Sequence, residues 1–279
     1  MKFRLRTLFC LIFVCAACCA WPGYVMHLWQ AEQAVLDRLR ERHGDDVGWS
    51  HDEHSTTTET FLSRVLNRRI GFVGDLTVGE TDLNQADLEL IASLRRVRSL
   101  TFGSTRFAID GDANPTECHS VTKLTCFLNS GVTAQAAKAF VSRFPNVESA
   151  IFIKTDATDE IFVELGKLRH VQNINLSRSS AIRGWGAAHL HNCGDTLQTL
   201  RLNGTDVDSK GLREISKLTS LRTLTLYQTQ VSDDDVPSLL RLENLEEIDV
   251  NETNVTSAGI LELSKIKHLV DFNYDAPRK

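Results

Sequence analysis

The sequence predicts an α/β solenoid, a curved stack of short parallel strands on one side and short helices on the other. Three observations predict it. An apolar pattern returns at steps of 24 or 26 residues from Val73 to Leu269. Within each copy two apolar residues stand two apart, which places them on one face of a short strand. A polar residue suited to cap a helix follows, ahead of apolar residues at helical spacing.

The copies begin at Val73, Val97, Val121, Val147, Val171, Leu197, Leu221, Leu245 and Leu269. Three and five residues on come the strand pairs, for example Leu76 and Val78, Ala150 and Phe152, Leu200 and Leu202, or Ile248 and Val250. The expected strands are about three to five residues long and stack in parallel. A hydroxyl then recurs as Thr81, Thr105, Thr155, Ser179, Thr205, Thr229 and Thr253, with Asn129 in the third copy. The chain turns away from the sheet there, and a hydroxyl can both donate to and accept from the backbone groups left behind. Asn84, Thr133, Thr158, Asp208, Ser232 and Thr256 stand at expected N-caps, each before a run such as Leu212, Ile215 and Leu218.

Period, apolar pattern and caps together resemble a leucine-rich repeat protein of the short 24-residue kind, with Thr or Ser where many members carry Asn. Such Thr-containing repeats are similar to those of bacterial membrane-anchored proteins. The resemblance covers about Ile70 to Tyr274. It implies a leucine-rich repeat solenoid, a curved horseshoe with a parallel concave sheet and short convex helices, and an interaction role. Phe61, Val65 and Leu66 suit a capping helix over the open N-terminal end of the core.

Two stretches depart from the pattern. After Phe107 the run AIDGDANPTECHS carries Gly111 and Asn114-Pro115, so residues 103–120 predict a convex loop instead of a helix. The run from Ile182 to Thr196 holds three glycines, Trp185, His189, His191 and Cys193. Decay of the repeat accounts for it more simply than a dedicated binding loop.

The N-terminus has another character. Lys2, Arg4 and Arg6 precede an apolar run from Leu8 to Ala20 that continues more weakly to Leu28, with no charge until Glu32. Counted to Leu28 it matches the about 20 residues of a bilayer crossing, with Trp21, Tyr24 and Trp29 as an aromatic belt outside and the basic residues inside. A cleaved signal peptide with Cys18 and Ala20 at the small-residue positions is the alternative, and a lipoprotein signal at Cys18 departs from the usual pattern at Cys15. The apolar character outlasts a typical signal core, which favours the retained anchor. The expected organisation is therefore a signal anchor or signal peptide over 1–30, a polar juxtamembrane helix and linker over 31–58, and the repeat domain of about nine copies over 59–279. The helix is expected over Gln30 to Arg42, broken by Gly44. The domain would lie outside the cytoplasm, or be secreted or periplasmic after cleavage.

Composition narrows the function. The 279 residues carry a net charge of −5 and no basic stripe, which argues against nucleic acid. Cys10, Cys15, Cys18 and Cys19 fall in the leader, and Cys118, Cys126 and Cys193 lack the spacing of a metal or disulfide framework. His51-Asp52-Glu53-His54 holds four ligand types, but a Thr-rich polar segment supplies no ordered face to hold a metal. His189 and His191 are read as surface residues. No nucleophile, base and orienting group come together, so no catalytic, cofactor or metal residue is assigned.

Binding candidates come from the strand register. Residues flanking the inward apolar pairs face the concave side, and Phe127, Ile151, Ile153, Asn175, Arg201, Tyr227, Glu247 and Asp249 are the candidates. Phe127, Ile151 and Ile153 form an apolar trio of the kind that marks a partner site. Glu247, Asp249 and Asp271 make one end acidic, which suits a basic partner or blunts the last sheet edge. The expected function is an exported or membrane-anchored, non-enzymatic module whose concave face binds a protein or peptide. The alternatives are a self-associating envelope component and, more remotely, a metal-dependent enzyme.

Overall fold

In the computed structural model, residues 5–51, 72–109 and 115–273 are described, apart from the side chains of residues 5–22, 51 and 272. One sheet of ten strands runs through them in the order β1-β2-β4-β6-β7-β8-β9-β10-β11-β12. Its parallel strands are β2 (Val73–Gly79), β4 (Ser99–Gly103), β6 (Lys123–Phe127), β7 (Ser149–Ile153), β8 (Asn173–Asn175), β9 (Thr199–Arg201), β10 (Thr223–Thr225), β11 (Glu247–Asp249) and β12 (Asp271–Asn273). Each pairs with the next without slip, Leu76 beside Leu100 and Leu200 beside Leu224, so each apolar column becomes a row across the sheet. A two-stranded ribbon, β3 (Asp82–Asn84) with β5 (Arg106–Ala108), follows the first two turns.

The rows stay in register because each turn extends the ladder by one bond. The second residue after each inward apolar pair is left-handed, at Glu80, Ser104, Leu128, Lys154, Arg178, Gln228 and Glu252, with φ between 50° and 61°. Gly204 fills the same place with φ 62°. Each of these N–H groups through Gln228 donates to a carbonyl of the next repeat, as Leu128 does to Ile153 at 3.1 Å and Gly204 to Tyr227 at 2.7 Å. A left-handed side chain costs about 1 kcal/mol, which the extra hydrogen bond offsets. The recurring hydroxyl completes the turn: Thr205, Thr229 and Thr253 each donate to the carbonyl three residues back at 2.6 Å.

Behind the sheet lie α2 (Gln85–Ala92), α3 (Ala134–Arg143), α4 (Ile161–Leu165), α5 (Ser209–Ile215), α6 (Val236–Leu239) and α7 (Ser257–Leu263). Side chains of Asn84, Thr133, Asp208 and Thr256 accept from first-turn N–H groups as expected. At Ser232 the reciprocal bond dominates, the Asp235 carboxylate accepting from the Ser232 N–H. Thr158 is not a cap: α4 starts later, after Glu160, with no side-chain cap, and Thr158 supplies only its carbonyl to the Ile161 N–H. The irregular stretch after Ile182 forms a 3-10 helix, Trp185–Cys193. Glycines let its neighbours close on it, since a Cβ on Gly166, Gly186 or Gly211 would stand 2.0–2.3 Å from a backbone oxygen. Residue 109 and residues 115–122 carry no helix, in line with the expected loop. Phe102, Phe107 and Phe140 fill the core there, with ring centroids 5.0–5.8 Å apart.

Among the described residues, the N-terminal end of the core is covered by the helix that precedes the repeats. Helix α1 runs unbroken from Leu5 to His43 and ends where Gly44 turns left-handed at φ 62°. Val25, Trp29, Glu32, Leu36 and Leu39 are buried along it, spaced four, three, four and three apart, which is one helical stripe. Leu36 and Leu39 join the solenoid core, and Val25 and Trp29 pack with Phe72. Trp29 therefore lies under the repeats, only 7% exposed, and takes no part in an aromatic belt. The segment expected as a linker goes on into β1 (Val47–His51), which pairs antiparallel with β2, Trp49 beside Leu76. Phe61, Val65 and Leu66, together with Asp52, Glu53 and His54, lie outside the described residues. Among the described residues no helix is long and apolar enough to cross a membrane. The run from Leu8 to Ala20 falls in the part of α1 whose side chains are outside them.

Candidate functional site

The sheet face turned away from the helices is the concave face, and strand alternation puts every sequence-predicted site residue on it or at its rim. One row across the strands reads Thr125, Ile151, Asn175, Arg201, Thr225 and Asp249. Four of the predicted residues are thus direct neighbours or one strand apart. In the next row Phe127 lies between Gly103 and Ile153. Glu247 pairs beside Thr223, two residues before Asp249 on the same strand. Tyr227 follows the end of β10, at the rim.

Phe127, Ile151 and Ile153 form one apolar patch. Two of them sit on one strand and the third beside it, and Phe127 is 39% exposed. The flat approach of its ring depends on the neighbour: a Cβ on Gly103 would meet Phe127 Cζ at 2.5 Å. Leu128, the next residue after β6, is 48% exposed and was not among the sequence candidates. Its signal was legible by column, since the other repeats have Glu, Ser, Lys, Arg, Gly, Gln and Glu at that left-handed place.

The polar half of the face is held by its own hydrogen bonds. Arg201 Nη1 donates to Asn173 Oδ1 at 3.1 Å, and Asn173 Nδ2 donates to Ser149 Oγ at 3.0 Å. The Asn175 and Asp249 side chains accept from the N–H groups of Ser177 and Asn251 at 3.0 Å, which fixes their rotamers at the strand ends. Thr223 Oγ1 donates to Glu247 Oε2 at 3.1 Å. A hydrogen bond to Glu252 raises the Tyr227 phenol above its ordinary pKa, and bonds from Gln228 and Tyr227 lower the Glu252 carboxyl. The face thus grades from apolar at β6 and β7, through amides and a guanidinium, to carboxylates at β11.

The convex side carries a separate cluster. Trp185 Nε1 donates to both Asp208 oxygens at 2.8–2.9 Å, while Lys210 and Arg183 lie 4.6 and 5.2 Å from its ring centroid. The Asp159 carboxylate accepts from the N–H groups of Arg183, Gly184 and Trp185; burial raises its pKa against those bonds. Each group has a structural partner, which makes the cluster a brace for the 3-10 helix. His189 and His191 are exposed on either side of buried Leu190. Among the described residues no three His, Cys, Asp or Glu side chains gather as metal ligands. Cys118, Cys126 and Cys193 are buried and unbridged, and burial pushes the Cys193 thiol up to about 11.

Solved structures share this architecture. The chain is similar to an internalin, InlF, of Listeria monocytogenes at 17% identity and TM-score 0.50, over 68% of this chain and 51% of that one. It therefore spans about half the length of that protein. It is also similar to internalin C2 of the same organism at 17% identity and TM-score 0.51, over 73% of this chain and 81% of that one. No protein-family model matches the chain, and no curated protein matches it by sequence. At this identity the likeness bears on the fold, which is the leucine-rich repeat fold.

Proposed function

We propose that this leucine-rich repeat protein is an exported or membrane-anchored, non-enzymatic binding module that takes a protein or peptide on its concave face. The observation that carries the reading is the neighbouring trio Phe127, Ile151 and Ile153 on a sheet face otherwise lined with polar groups, with exposed Leu128 next along the chain. Apolar side chains grouped on an exposed face have no folding role there, and their burial against a partner supplies the driving force for binding. The polar row beside them fixes orientation, and the acidic end at Glu247 and Asp249 favours a basic stretch of the partner. The apolar start of α1 is the export or anchor element, with the repeats outside the cytoplasm.

Photo-crosslinking in the native membrane tests this, with a reactive group at Asn175 on the concave face or at Glu214 on the convex side. A defined adduct is expected from the first position alone, and it should disappear when Phe127, Ile151 and Ile153 are all changed to Ala. An adduct that persists in the triple variant would remove the proposed surface. Self-association is the second reading, favoured by the 88% exposed Val270 beside the edge strand β12. A strictly monomeric sedimentation profile across concentrations counts against it.

A further inference from the structure

Two hydroxyls on the concave face are buried without a partner. Thr225 is 5% exposed and Ser177 8%, and neither Thr225 Oγ1 nor Ser177 Oγ makes a hydrogen bond among the described residues. A hydroxyl in that state opposes folding, and native proteins keep few of them. Thr225 stands between Arg201 and Asp249 in one row of the sheet. Arg201 is drawn to the other side, where it donates to Asn173. Asp249 accepts the Asn251 N–H with Oδ1, which leaves Oδ2 for another donor.

The next strand pair sets acid on acid. Glu247 lies directly beside Asp271, and like charges directly opposite destabilise a sheet. Nearby basic residues are committed elsewhere: Arg222 pairs with Glu246, and Lys265, Lys267 and His268 line a separate hollow with Glu243 and Asn244. The carboxylates do not gather as metal ligands among the described residues. A guanidinium or ammonium, by contrast, suits two carboxylates and a hydroxyl as acceptors.

This corner and the apolar patch are held at a fixed separation. Ile151 and Asp249 belong to one row, four strands apart, and strands about 4.8 Å apart put about 19 Å between them. An extended segment rises about 3.3 Å per residue, so side chains about six residues apart span that gap and, the number being even, point to the same side. A helix needs about 13 residues for the same distance and arrives with its backbone groups already bonded. An extended segment brings free N–H and C=O groups, and Ser177 and Thr225 lie along its path.

We propose that the concave face binds an extended segment of a partner protein, with an apolar side chain on Phe127 and Ile151 and a lysine or arginine about six residues away seated on Thr225, Asp249 and Glu247. The proposal rests on the concave-face reading and adds the spacing that selects the partner.

The probe is a library of random dodecapeptides displayed on phage and panned against the full chain in detergent. Enriched peptides are expected to carry an apolar residue and a lysine or arginine about six positions apart. Phe127→Ala with Ile151→Ala and Ile153→Ala should abolish their binding. Asp249→Asn should weaken it about tenfold, the contribution of one charge-assisted hydrogen bond. Thr225→Val should also weaken it while the melting temperature holds or rises, because the hydroxyl it removes has no partner in the free chain. Peptides that need the apolar trio but bind Asp249→Asn and Thr225→Val as tightly as the wild type overturn the seat and leave the concave reading standing. Peptides indifferent to the trio overturn both, and a library without enrichment overturns the extended occupant. Tighter binding in Arg278→Gln with Lys279→Gln would assign the seat to the chain's own C-terminal residues and overturn the partner's claim to it.

Discussion

Arg42 Nη1 lies 2.7 Å from Oδ1 of Asp87, a carboxylate with no solvent exposure, so the last turn of α1 is fastened to the first helix of the repeats. His43 reinforces the joint, with Nδ1 2.8 Å from Thr81 Oγ1 and Nε2 3.2 Å from the same Asp87 oxygen. Burial raises the Asp87 pKa, but the Asn84 N–H, Arg42 and His43 outweigh it and hold the carboxyl below its ordinary value. A depressed carboxylate contributes stability that is complete above its unfolded pKa of about 3.9 and is lost as pH falls through the folded pKa. The wild type should therefore lose stability below about pH 4 more steeply than Asp87→Asn, which starts about 1–3 kcal/mol lower at neutral pH. Denaturant titrations across that range check it, and parallel pH profiles would count against the joint.

Leu36 and Leu39 close the solenoid as fully buried side chains of α1. Changing either to Ala should cost about 2–5 kcal/mol. Hydrogen exchange locates the loss: amides of β1 and β2 should lose protection before those of β9 and β10, because a repeat array opens from its damaged end.

Gly211 on the convex side has Arg183 O at 2.0 Å from the position of a Cβ. Gly211→Ala therefore forces backbone apart and should destabilise by about 1–3 kcal/mol or more. A Cβ on Gly204 would make only an ordinary contact, with Arg178 Cγ at 3.6 Å, which leaves its φ of 62° to satisfy. Gly204→Ala should cost about 1 kcal/mol and Gly204→Asn less, since Asn tolerates the left-handed region. Thermal unfolding of the three variants reads the order.

Gly103 and Phe127 make a sharper pair. Gly103→Ala moves a flexible ring end instead of backbone, so the melting temperature should barely change. The ring must leave its seat, however, and the concave crosslink at Asn175 should weaken nearly as much as in Phe127→Ala. A full-strength adduct in Gly103→Ala would show that the ring position does not matter.

What the sequence revealed follows from which features recur. The inward columns from Val73 to Leu269 were legible because one apolar pattern repeats, and Asn84, Thr133, Asp208 and Thr256 because capping needs a short acceptor at a fixed offset. Thr158 misled because α4 begins later than its cap position, after Glu160. The N-terminal closure stayed hidden because its stripe passes through Glu32 and its last anchor is His43, so the segment looks like polar juxtamembrane sequence. β1 was missed because it lies outside the repeat, and its two inward residues, Val47 and Trp49, are too short an apolar alternation to stand out in a polar segment. The left-handed conformation of the column that holds Leu128 was not legible, because it is a backbone angle that Glu, Ser, Leu, Lys, Arg and Gln all adopt, although Leu128 stands out in that column by residue type. Register alone was enough to bring Ile151, Asn175 and Arg201 side by side.

The union of α1 with the repeats also has a mechanical meaning. From Asp249 to Leu76 the strands form an unbroken ladder, and from Leu39 the path continues along a single helix to Leu5. A pull applied at the concave face meets no slack joint along that route.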